Sequence, residues 1–309
     1  IEIAVQRLIA PTQSPSLLAI PFFILLGTLM SYTGIAERIL HIANVLVGKM
    51  RGGLGVANIL VSTMMGGVSA SNLADAAMLS RMMVPEMERK GYNRAFAAAI
   101  TAGGSLVTPI IPPGIALIIY GLVADVSIGK MFIAGLVPGL LCAVVLMFTV
   151  YLVARKTNAK PSRESWPTGK EVVFSLGQAW PALFLIFAVV GGIRANIFTP
   201  TEAGAAAVLI VLAIGFFIYR EMRISHVVKA LGETARATAS VMLVIMASAA
   251  LGWIFSMEHA GVAVANFVTS LTENKYMFLL IINILLLTLG MFLEGNAILL
   301  ILVPLLKPV

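Results

Sequence analysis

Two short polar runs interrupt otherwise apolar sequence. Residues 66–75 place Ser69, Ser71, Asn72 and Asp75 within about two helical turns of one another, and Glu294, Gly295 and Asn296 form a second run. Hydroxyl, amide and carboxylate oxygens at this spacing can cap a half-helix or ligate a hard cation. A third segment, 103–114, holds three glycines and three prolines in twelve positions. It cannot continue an α-helix, because each proline removes a backbone donor and clashes with the preceding turn. Where a helix restarts after such a break or tip, its first amides and its dipole favour negative charge. Asn72, Thr108 and Gly114 are therefore candidates for holding an anion. Asp75, one turn past the first tip, suits the start of a helix, with direct ligation of a cation as the alternative.

The elements that carry these runs are set by composition. Of the 309 residues, 60% are hydrophobic and 11% charged, and mean hydropathy is +1.00. Charge-free windows recur along the chain, and about 20 apolar residues cross the hydrocarbon. This is a polytopic membrane chain embedded in a lipid bilayer, which excludes a globular enzyme on a small anchor. The 21 Lys+Arg against 14 Asp+Glu would hint at nucleic acid in a soluble chain, but their placement points elsewhere and no nucleic-acid partner is expected. Sixteen of the basic residues fall in 38–51, 81–94, 155–170 and 220–236 and five elsewhere, which reads as the positive-inside signal of cytoplasmic loops. At membrane depth an acidic group such as Glu294 is usually functional. It is a substrate candidate together with Asn296, the alternatives for Glu294 being a proton or sodium role and a hydrogen bond across its own hairpin. Cys142 alone allows no disulfide or thiolate cluster, and His41, His226 and His259 have no zinc spacing and no triad partners.

Placing the first polar run in a full crossing would strand it in lipid, so 52–90 reads as a re-entrant hairpin whose tip reaches the midplane. The hairpin also gives the stronger basic asymmetry, 16 to 5 against 14 to 7 for a crossing. The expected order is a scaffold helix and interfacial arm over 1–51, the hairpin, a broken helix over 95–124 and a helix over 131–154, the last three forming a first transport half. A loop follows at 155–175, then scaffold helices and a second arm over 176–275, and the start of a second hairpin over 276–309. Segments 20–34 and 247–261 align with Gly34 over Gly261, and the elements after each follow in the same order. With an odd number of crossings between them, the halves form an inverted repeat. That register puts a second break near 331–336, so the chain reads as part of a longer one. The fold class expected is an all-α polytopic membrane protein with inverted repeats, re-entrant hairpins and a broken helix.

The stretches GGVSASNLADAAMLSRMMVPEM, ITAGGSLVTPIIPPGIALIIYG and IGKMFIAGLVPG, with IPFFILLGTLMSYTGIAERI before them and FTPTEAGAAAV and LEGNAILLILVPLL after, resemble the large membrane subunit of tripartite ATP-independent periplasmic (TRAP) transporters. The resemblance covers essentially the whole chain. It implies an elevator-type secondary transporter in the bacterial inner membrane, coupled to sodium ions and without other cofactors. It also implies a periplasmic substrate-binding protein, a small four-helix membrane subunit and a small organic-acid substrate. Carried over by position, the family's first sodium site would draw on Ser69, Ser71 and Asn72 at the tip and on the carbonyls of Gly104, Val107 and Pro109 at the break. The alternative for each hydroxyl is local capping. A stand-alone sodium/dicarboxylate symporter of the same superfamily is the competing reading.

Overall fold

A backbone in hydrocarbon must satisfy its own hydrogen bonds, and the chain does so with helices throughout. The computed structural model describes residues 2–66, 72–157, 161–195, 197–259, 266 and 274–306, and among these no strand occurs. The helices are α1 (Glu2–Ile9), α2 (Ala19–Met30), α3 (Ile35–Val47), α4 (Gly53–Gly66), α5 (Asn72–Arg89), α6 (Arg94–Ser105), α7 (Ile115–Val123), α8 (Ile128–Lys156), α9 (Gly169–Arg194), α10 (Pro200–Ala213), α11 (Ile224–Met257), α12 (Lys275–Gly290) and α13 (Gly295–Leu306). Four of the described helices, spanning 128–156, 169–194, 200–218 and 224–255, are long and apolar enough to cross a membrane. The protein is thus a multi-pass, all-helical membrane protein.

Local chemistry explains most boundaries. Asn93, Ser127 and Asn274 each accept a backbone N–H with the side chain at a helix start. Thr199, Pro200 and Glu202 build a capping box with proline at the first turn, which satisfies amides the helix leaves unpaired. Two boundaries differ from the sequence expectation. Helix α9 begins at Gly169, inside the segment read as loop, and α11 begins at Ile224, about three turns before the apolar core of its span. In both cases the added turns carry charges such as Lys170, Lys229 and Arg236 on exposed positions, which a hydropathy window rejects although a helix tolerates them. The second arm, expected just before 275, lies largely outside the described residues.

Helix α4 sits at the centre, packed on α3, α5, α6 and α8. It is buried on nearly every side, as a helix apolar all round must be. Asn58 pins it to α6 by donating from Nδ2 to Thr101 Oγ1 at 2.7 Å. Around this centre α2 packs on α10 and α11, α3 on α9, and α13 on α7 and α11; Phe23 of α2 meets Phe132 of α8 edge to face. Between α2 and α3 the chain turns by 68° at Gly34, whose φ of +68° is in the left-handed region. A Cβ there would overlap Glu221 Oε2, whose partner oxygen Oε1 accepts from Arg38 at 2.7 Å. Glycine thus supplies the bend and leaves room for the ion pair that holds it.

The segment after α8 is tied down. The Gly48 carbonyl, just past α3, accepts the amides of Ser162 at 2.9 Å and Arg163 at 3.1 Å. The Ser162 hydroxyl donates to Asn44 Oδ1 at 2.6 Å, and Arg163 pairs with Glu171 of α9 at 2.5 Å. Charge reversal, Arg163→Glu, is expected to speed hydrogen exchange of the Ser162 and Arg163 amides several-fold, and adding Glu171→Arg is expected to restore the slow rate. Unchanged exchange in the single variant would mean that the ion pair does not hold this segment.

Candidate functional site

Two elements meet at the break. After α6, residues 106–114 leave the helix: the Gly104 carbonyl accepts the Val107 amide at 3.0 Å, and the Val107 carbonyl accepts the Ile110 and Ile111 amides at 3.1 and 3.2 Å. These turns are tight because α7 must restart at Gly114, where a Cβ would lie 2.2 Å from the Pro109 carbonyl oxygen. Helix α4 presses on the same turn, a Cβ on Gly66 falling 3.0 Å from the Thr108 carbonyl oxygen.

Asp75 joins α5 to this break. It is 1% exposed, and Thr108, fully buried, donates from Oγ1 to Asp75 Oδ2 at 3.0 Å. The carboxylate therefore bonds to a hydroxyl from the break, beyond the capping of its own helix start that the sequence favoured.

A cavity of about 750 Å³ opens against this junction. Asn72 and Asp75 line it from α5, Pro109 and Ile115 from the break, and Glu294 and Asn296 from the second polar run. Asn296 donates to Glu294 Oε1 at 2.9 Å, so that the Glu294 carboxylate is held by its own tip. Helices α5, α7 and α13 all begin at or beside this cavity, and their first amides can receive negative charge.

The structure thus brings together Asn72, Pro109, Glu294 and Asn296 on the cavity wall, with Thr108 one bond behind Asp75. Gly104 and Val107 are buried behind the break, and Gly114 is the residue before α7. Among the carbonyls expected to face a cation, those of Gly104 and Val107 each already accept two turn amides. Ser69 and Ser71 lie outside the described residues.

Across the cavity stand residues that sequence reading missed: Thr28 of α2, Ser31 just past its end, and Glu233 and Ser240 of α11. Tyr32 donates to Glu233 Oε1 at 3.0 Å and stacks on His226 at 5.1 Å. In sequence, Glu233 is one charge in a basic, amphipathic run; its distance from the nearest polar tip gave no signal. No Lys or Arg lines the cavity among the described residues, whereas Asp75, Glu233 and Glu294 do. Among the described residues, the helix starts beside the cavity supply its positive potential.

Residues 1–309 match the family described as "Tripartite ATP-independent periplasmic transporter, DctM component". The chain is 39% identical to the sialic acid TRAP transporter large permease of Vibrio cholerae over its whole length and 72% of that protein. It is 37% identical to the C4-dicarboxylate TRAP transporter large permease of Pseudomonas aeruginosa over 98% of the chain and 70% of that protein. Against the 2,3-diketo-L-gulonate TRAP transporter large permease of Escherichia coli the identity is 34%, again over the whole chain and 72% of that protein. With the helical architecture and the cavity between its polar tips and its break, the chain belongs to the DctM family of large TRAP transporter permeases and is a membrane transport subunit, not an enzyme.

Proposed function

We propose that the chain takes up a small organic acid across the bacterial inner membrane, driven by sodium. A periplasmic substrate-binding protein delivers the acid, and a small four-helix membrane subunit completes the complex. The observation that carries this reading is the cavity where Asn72, Pro109 and Asn296 converge from two polar tips and a broken helix. Helix starts there receive the acid group, and oxygens of Ser69, Ser71 and Asn72 with carbonyls of Gly104, Val107 and Pro109 receive a sodium ion. The ion offsets the like charge that Asp75, Glu233 and Glu294 would otherwise present to an anion.

The two polar tips belong to the halves of an inverted repeat, and the transport half carrying the break slides as an elevator against the scaffold of α2 and α11. Walls contributed by both groups of helices support this division. The test is uptake by the intact transporter in proteoliposomes, with its binding protein, of the acid that this protein binds. An inward sodium gradient is expected to drive accumulation, and omission of either sodium or the binding protein is expected to abolish it. Equal uptake with potassium in place of sodium would overturn the coupling, and uptake without the binding protein would turn the reading into a stand-alone symporter.

A further inference from the structure

Behind the cavity wall lies a knot of buried oxygens that the tip site does not use. Asp75 Oδ2 accepts from Thr108, but among the described residues Asp75 Oδ1 has no hydrogen-bond partner, and neither has Ser62 Oγ. The Ser62 hydroxyl belongs to α4 and faces the same carboxylate without hydrogen-bond geometry. Ser62 and Thr108 are fully buried and Asp75 nearly so, while Asp75 still reaches the cavity lining. The Ser62 carbonyl lies 3.4 Å from Thr108 Oγ1. On the far side is Gly104, where a Cβ would stand 3.3 Å from Ser62 Oγ, so that the absence of a side chain keeps the hydroxyl unobstructed.

A buried carboxylate with an open oxygen is costly unless something positive meets it. The ion pairs of the described residues are Arg38–Glu221, Arg89–Glu86 and Arg163–Glu171, none of which involves Asp75. Hard monovalent cations take clustered hydroxyl, carbonyl and carboxylate oxygens, and this knot offers all three types.

We propose that Asp75, Ser62 and Thr108 form a cation site of their own, one turn beneath the tip, that binds one sodium ion through a carboxylate. It differs from the tip site in its residues and in its charge: serine, asparagine and carbonyl oxygens are neutral, whereas this site carries a fixed negative group. An ion bound here neutralises Asp75 and clamps α4, α5 and the break together at the cavity edge, before an acid arrives. The proposal rests on the sodium-coupled reading above.

The test is equilibrium binding of radioactive sodium to the intact, purified transporter, with melting temperature followed as sodium replaces choline at constant ionic strength. Wild type is expected to bind sodium and to be stabilised by it; no binding by wild type would sink the sodium-coupled reading itself, and this site with it. Asp75→Asn is expected to bind one ion fewer per chain. Ser62→Ala and Thr108→Val, which keep the carboxylate and the packing, are expected to weaken one binding event about tenfold, and they carry the test if Asp75→Asn fails to fold. Wild-type stoichiometry and affinity in the folded variants would overturn the site while leaving sodium coupling intact, the open oxygens then being met by water or a proton.

Discussion

Replacing Gly114 with alanine should remove transport and most of the folded protein. The new Cβ would lie 2.2 Å from the Pro109 carbonyl oxygen and 2.9 Å from its carbon. Both are backbone atoms fixed by the proline turn, so neither can swing away as a side-chain end would. Relief requires opening the break, which would also disturb the Thr108–Asp75 hydrogen bond. The cost is on the order of 3 kcal/mol or more, a large part of a marginal stability. Gly103→Ala is the control. Its Cβ would meet only Leu146 Cδ2, at 3.9 Å, and alanine improves a helix by about 0.5–1 kcal/mol. Folded yield and melting temperature are the measurements, with uptake alongside. If Gly114→Ala melts and transports like wild type, the turn does not have the close packing described.

The second large effect is expected from Ser240→Trp. Ser240 is exposed on α11 and lines the cavity opposite the polar tips, so the bulky ring can enter open space without overpacking a core. A substrate forced to share that space loses roughly 1–3 kcal/mol of fit, and uptake should fall about tenfold or more. Melting temperature and membrane yield should be unchanged. Leu209→Trp, at a position 68% exposed on α10 and away from the cavity, should transport normally. Normal uptake by Ser240→Trp would mean that substrate does not pass between α11 and the tips.

The break was legible because its cause is local. Pro109, Pro112 and Pro113 stop α6 whatever surrounds them, and the helix indeed ends at Ser105 and resumes at Ile115. Charged turns hid the starts of α9 and α11, because a window of mean hydropathy averages over the helix faces that separate Lys229 or Arg236 from the apolar side.

The partners of these elements were not legible. Thr108 and Asp75 are 33 residues apart and Tyr32 and Glu233 are 201 apart, and no spacing rule links such pairs. Their meeting depends on how α4 is buried among four helices and on how Gly34 turns α3 away from α2. For Asp75 the sequence supplied a carboxylate near a helix start, a position that by itself favours capping. Only the packing of α4 and the break against α5 decided that one oxygen would bond to Thr108 and the other stay open beside Ser62. Local chain chemistry specifies where a helix must begin and end, because steric clashes and missing donors act between near neighbours. The side chains that share a cavity are chosen by burial of whole helix faces, which is a property of the assembled bundle.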